Sequence, residues 1–177
     1  AIALSKEALS LAEQLSYLQG IAESCYTLAD MYSVMVGNNS IALDYATRAL
    51  ALFRQLDDSR NEAWTLNVMG GIYVDLGNIA AAEDCLKQAS DIATALGLRY
   101  LQGSISAKLG ILYKNTARYQ EAIECFQKAL ELRREKRDTY GESSILNNLG
   151  TVYSHCGDYA QAIRNYTQSL HIKRLND

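Results

Sequence analysis

The chain has 177 residues, 49% of them apolar and 21% charged, with a formal net charge of −3. That composition can bury a sizeable core, and no window of 18 or more apolar residues suggests a membrane span, so a soluble chain is expected. The negative balance supplies no overall basic field for phosphate backbones, which argues against direct nucleic-acid binding, while an acidic or helical peptide partner stays open.

Residues 1–15 carry apolar positions Ala8, Leu9, Leu11, Ala12 and Leu15, in register with Ala49, Leu50, Leu52, Phe53 and Leu56 further on. This spacing predicts a helix that is the second half of a repeat. The expectation is a fragment of a longer protein that opens mid-repeat, with uncovered apolar faces at its first and last helices, where Leu4, Leu11, Ile163 and Leu170 are candidates for self-association.

Four helix pairs follow, over residues 16–57, 58–97, 98–137 and 138–177. Capping boxes are expected at Ser16 with Gln19, Ser59 with Glu62, and Thr139 with Glu142. Arg99 stands at the corresponding place in the third pair and cannot cap in this way, whereas Gly97 fits a helix stop. Inside the pairs, Gly37, Gly77 and Gly157 mark turns followed by the caps Asn38, Asn78 and Asp158, and the stretch 115–118 replaces the glycine in the third pair.

The pairs repeat one another. Leu109-Gly110-Ile111-Leu112-Tyr113, followed by Tyr119-Gln120-Glu121-Ala122, returns forty residues later as Leu149-Gly150-Thr151-Val152-Tyr153 with Ala162, and forty earlier as Met69-Gly70-Gly71-Ile72-Tyr73 with Ala82. A weaker copy runs from Leu28 through Tyr32 to Ala42, with one residue inserted before Gly37. The aromatic four residues after the Ala is Phe126 or Tyr166 in two copies, Leu86 and Ala46 in the others; Ala29 replaces the first Gly.

These residues resemble the tetratricopeptide family, in the long-repeat variant found in kinesin light chains and in bacterial signalling and transcription regulators. The resemblance implies an all-α fold, a right-handed superhelical solenoid of antiparallel helix pairs in one array over 1–177. It departs from the family in lacking a Pro to close any repeat. Gly70 and Ala82 are expected to meet at a close helix crossing, with the repeat tyrosines in the core. Leu66, Met69, Tyr73 and Leu76 form one apolar stripe, repeated by Leu146, Leu149, Tyr153 and Cys156.

Chemistry is sparse. Cys25, Cys85, Cys125 and Cys156 have no metal-ligand spacing and read as reduced small apolar residues, which favours the cytoplasm. His155 and His171 lack nucleophile or ligand neighbours, and no phosphate loop is present, so no catalytic residue, cofactor or metal is expected. Arg133, Arg134, Lys136 and Arg137 read as a solvated helix end beside the dipole, or as an anionic docking patch interrupted by Glu131, Glu135 and Asp138.

By the resemblance, first helices line a concave groove for a protein or peptide partner. The stripe facing away from the packed Leu and Tyr gives Glu23, Tyr26, Asp30 and Val34; Trp64, Asn67, Gly71 and Asp75; Ser104, Ala107, Ile111 and Asn115; and Ser144, Asn147, Thr151 and His155, with Lys108, Lys114 and Asn148 beside it. Asparagines can hold an extended backbone and Trp64 an apolar side chain. The acidic first half and basic second half imply one peptide direction. The alternative function is a spacer or self-association module with no ligand in the groove.

Overall fold

The computed structural model describes residues 1–176. Among them are nine α-helices: α1 (Ile2–Gln14), α2 (Leu18–Met31), α3 (Asn39–Gln55), α4 (Ser59–Asp75), α5 (Ile79–Ala95), α6 (Arg99–Asn115), α7 (Tyr119–Glu135), α8 (Thr139–His155) and α9 (Tyr159–Asn176). A π-helical turn, Tyr32–Val36, continues α2, and no strand occurs among the described residues. Helices α1–α5 belong to one compact unit, Ala1–Leu96, and α6–α9 to a second, Gly97–Asp177.

Helices α1 to α8 are each followed by a single residue of left-handed backbone. Gly37, Gly77, Ala117 and Gly157 do this within pairs, at φ of 69°, 69°, 58° and 80°. Ser16, Asp57, Gly97 and Arg137 do it between pairs, at 53°, 53°, 63° and 55°. Within each unit the chain then doubles back on its predecessor as an αα-hairpin. The residue inserted ahead of Gly37 is absorbed by the π turn. Asn38 N–H still reaches the Tyr32 carbonyl at 3.0 Å, as Asn78, Arg118 and Asp158 reach those of Tyr73, Tyr113 and Tyr153 at 2.9, 2.8 and 3.0 Å.

The left-handed residues also displace the expected capping boxes. Because Asp57 and Arg137 occupy the stop position, the extended cap falls on Asp58 and Asp138, one residue before Ser59 and Thr139. Asp58 Oδ1 accepts from Asn61 N–H at 3.0 Å and Asp138 Oδ1 from Gly141 N–H at 2.8 Å. Glu62 and Glu142 do not reach back to a cap; each accepts from an arginine of the preceding helix, Arg54 or Arg134, at 2.7 Å. Ser16 is itself the stop, and Tyr17 caps α2 without a side-chain bond. Asn38, Asn78 and Asp158 do cap α3, α5 and α9, bonding Ile41, Ala81 and Gln161 N–H.

Each of the repeat glycines Gly70, Gly110 and Gly150 makes room for one large side chain, and that side chain is not the expected alanine. A β-carbon on Gly70 would lie 2.6 Å from Leu86, one on Gly110 2.6 Å from Phe126, and one on Gly150 2.7 Å from Tyr166. Ala82, Ala122 and Ala162 are buried one helical turn earlier. In the first pair both partners are small, Ala29 and Ala46, and both are wholly buried.

The repeat tyrosines are less buried than expected. Tyr32 is 9% exposed and stacks on Tyr45 at 5.9 Å, but Tyr73, Tyr113 and Tyr153 are half-buried. A phenol has a polar end that is costly to bury without a partner. Tyr113 and Tyr153 pack at the edge of a core made of Ala122, Phe126, Ala129, Ile145, Leu149 and Val152. Leu76 and Cys156 leave their stripes and are exposed, because α4 and α8 end one residue before them.

Candidate peptide-binding faces

In the first unit, α2 and α4 are the first helices of successive pairs and touch directly. Glu23, Asp30 and Asp75 are exposed along them, and Tyr26, Trp64 and Gly71 are half-buried. Burial, with Asp30 nearby, pushes the Tyr26 phenol above its ordinary pKa. Asn67 departs from the expected stripe. It is 3% exposed, inside a run from Thr65 to Gly70 that is buried throughout, so it belongs to helix packing rather than to an open face.

In the second unit, α6 and α8 are in direct contact and, with the end of α7, line an open cavity of about 280 Å³. Its apolar lining is Ala107, Ile111 and Ile145; Tyr100 and Tyr140 contribute rings, and Ser144 and Asn148 contribute polar groups. The remaining lining comes from Arg133, Asp138 and Gly141. Lys114 Nζ donates to Asn148 Oδ1 at 2.9 Å, and Asn148 Nδ2 donates to the Ser144 carbonyl at 3.2 Å. Burial lowers the Lys114 pKa, and its bond to Asn148 fixes the amide beside the cavity.

Arg133 differs from the expected solvated helix end. Its side chain is only 12% exposed, its guanidinium carbon lies 4.4 Å from the Tyr100 ring centroid, and Nη1 bonds Asp138 Oδ2 at 2.8 Å. A β-carbon on Gly141 would lie 2.9 Å from Arg133 Cδ and 2.6 Å from Asp138 Oδ2, so the glycine leaves space for this pair. Arg133 Nε is buried without an acceptor. Forty and eighty residues earlier the same repeat position holds Ala93 and Phe53, both core residues.

Of the sequence-derived candidates, Ala107, Ile111, Ser144 and Asn148 line the cavity. Lys108 and Thr151 are half-buried, and Asn115, Asn147 and His155 are exposed, all on α6 and α8 but outside its lining. His155 stacks on Tyr119, with centroids 5.6 Å apart. Thr151 Oγ1 donates to the Asn147 carbonyl at 3.0 Å and accepts from Tyr166 at 3.1 Å. Sequence reasoning missed Tyr100, Arg133, Asp138 and Tyr140 as lining; an arginine at a core repeat position was the available signal. Among the described residues no cluster of three or more His, Cys, Asp or Glu could hold a metal. No described helix is long and apolar enough to cross a membrane.

Successive antiparallel helix pairs with a forty-residue period define a helical-repeat protein. The tetratricopeptide repeat family model matches residues 26–95 and 102–174, and the chain belongs to that family. Solved structures agree in fold. A Rap protein complexed with Competence and Sporulation Factor superposes with a TM-score of 0.87 at 20% identity, over 97% of this chain and 48% of that one. BtubC (BKLC) from P. vanneervenii gives 0.82 at 21% identity, over 98% and 72%. MamA from Desulfovibrio magneticus RS-1 gives 0.67 at 18%, over 99% and 97%. No curated protein sequence matches. The fold is that of an all-α tetratricopeptide solenoid, a family of protein-interaction scaffolds.

Proposed function

We propose that this chain is a peptide-binding scaffold, a module of a signalling or regulatory protein, and that a partner segment lies on the α6–α8 face. The observation that carries this reading is the cavity: an apolar floor at Ala107, Ile111 and Ile145, with the polar groups of Ser144 and Asn148 beside it. Such a site takes one bulky apolar side chain and bonds the main chain next to it. Lys108, Lys114 and Arg133 favour acidic residues beside that anchor, while Glu23, Asp30 and Asp75 on the α2–α4 face favour basic ones. The Rap neighbour, complexed with a factor, lends the reading support from a protein of the same fold. Four free thiols suit a reducing compartment, and the cytoplasm accompanies this reading.

The test is peptide selection by display on the wild-type protein, followed by anisotropy with Ile111→Arg and Asn148→Ala. Selected peptides should lose about tenfold or more in affinity while the melting curve is kept. Equal binding by the variants would replace this reading with that of a spacer.

A second reading has its own observation. Ile163 on α9 is 65% exposed, whereas its counterpart Ile123 on α7 is 9% exposed and packs in the core with α8 residues Ile145 and Leu149. The α9 face, with Leu170 at 48%, would support association between copies.

A further inference from the structure

The inserted residue in the first repeat builds a run of exposed apolar side chains that the corresponding turns of the other described pairs lack. The π turn ends in three consecutive exposed apolar side chains, Val34 at 75%, Met35 at 68% and Val36 at 51%. At the corresponding turn after α4, Leu76 is 53% exposed and Ile79 45%. Because α2 and α4 pack directly as the first helices of successive pairs, both turns lie at the same end of the first unit. The turns at 115–117 and 155–157 carry Asn, Thr, Ala, His, Cys and Gly instead. Single exposed apolar residues are ordinary, but a run of three beside two more is the mark of an interaction surface.

Charge says what covers it. Between residues 24 and 47 the charged side chains are Asp30 and Asp44, and between 63 and 86 they are Asp75, Glu83 and Asp84, with no lysine or arginine in either stretch. Asp30, Asp44 and Asp75 are exposed. Lys6, the cation found near this turn, lies over the Tyr32 ring at 5.6 Å.

We infer that the Val34–Val36 turn, with Leu76 and Ile79, is a docking surface for a cationic amphipathic helix of a partner protein. Bulky apolar residues of that helix cover the valines and the adaptable Met35, and its lysines or arginines meet the carboxylate rim. The apolar turn lies outside the α6–α8 cavity and does not depend on it, while Asp30 and Asp75 belong also to the acidic α2–α4 face described above.

The test uses the full chain and two labelled helical peptides, one of leucine and lysine and one of leucine and glutamate. The lysine peptide should bind with an affinity that falls as salt rises, and the glutamate peptide should not. Val34→Ser with Met35→Ser and Val36→Ser should weaken binding about tenfold or more at unchanged melting temperature. Asp30→Asn with Asp75→Asn, which leaves the apolar turn intact, should flatten the salt dependence; Ile111→Arg should change nothing. Equal binding of both peptides, or full binding by the triple serine variant, overturns the inference. So does a wild type that sediments as a dimer and ignores the peptide while the triple variant is monomeric, because a second copy would then be the occupant.

Discussion

Gly110 and Phe126 fit each other across the α6–α7 crossing: a β-carbon on residue 110 would come within 2.6 Å of the phenyl ring, which is wholly buried and has nowhere to move. Gly110→Ala should therefore destabilise the chain by about 1–3 kcal/mol, and Phe126→Ala by about 3–5 kcal/mol. Together they recreate the Ala29 and Ala46 pair of the first repeat. The double variant should cost less than the sum, with a coupling of about 1 kcal/mol or more in urea denaturation. Strict additivity would show that the glycine serves another purpose. Gly150→Ala should be milder, since Tyr166 is 37% exposed and can swing aside.

That relationship explains what the sequence made legible. Glycines forty residues apart stand out because each must admit one large side chain from the second helix, and the turns at Gly37, Gly77 and Gly157 stand out because glycine is the usual residue at positive φ. Where other residues adopt that conformation the signal vanishes, so Asp57 and Arg137 hid the stops and shifted the caps by one residue. Asn67 was misplaced because α4 is buried on nearly every side from Thr65 to Gly70, leaving no polar face to fix its rotation. The cavity was half legible: Ala107, Ile111 and Ser144 lie on the first-helix stripe and Asn148 beside it, but Arg133 belongs to a second helix and enters only through tertiary packing.

The left-handed stops carry their own test. Ala117 holds φ of 58° where three equivalent turns have glycine, a conformation that costs a β-carbon about 1–2 kcal/mol. Ala117→Gly should stabilise the chain by about 0.5–1 kcal/mol after the entropy gained by the unfolded state, and Gly77→Ala should destabilise it by a similar amount. Both are read as shifts in denaturation midpoint at constant slope.

Asp58 links capping to pH. Burial favours its protonated form, but bonds from Asn61 N–H, the Asn61 amide and Gln19 outweigh burial, and the carboxyl pKa falls below its ordinary value of 3.8. A folded pKa below the unfolded one means stability that is present above about pH 4 and lost as pH drops through the folded value. Asp58→Ala should cost about 1 kcal/mol at pH 7 and progressively less toward pH 3, while Ser59→Ala stays within about 0.5 kcal/mol throughout. A cost independent of pH would argue against the carboxylate cap.

If the α9 face joins copies, the apparent mass in sedimentation should rise with concentration, and Ile163→Glu with Leu170→Glu should hold the protein monomeric. These positions are 65% and 48% exposed, so the same substitutions should shift the melting curve little. A wild type that stays monomeric at high concentration removes the second reading.

Arg133 separates stability from binding. Its stem packs against Gly141 and its guanidinium against Tyr100, with one bond to Asp138 and a buried Nε that has no acceptor, at a position where Phe53 serves in an earlier repeat. Replacing a buried ion-paired group by an apolar one of similar length is commonly neutral or stabilising, by up to about 4 kcal/mol. Arg133→Met should therefore keep or raise the melting temperature. If the α6–α8 cavity receives a partner segment, the same variant should weaken binding of selected acidic peptides, because it removes a cation from the lining; that pattern, stability kept and affinity lost, is the one expected of a residue retained for recognition. Asp138→Ala provides the contrast. It strips the helix cap and leaves a largely buried arginine without its carboxylate, so it should destabilise the chain by about 3 kcal/mol. A lower melting temperature for Arg133→Met, with peptide affinity unchanged, would make Arg133 a structural residue and remove the cation from the proposed site.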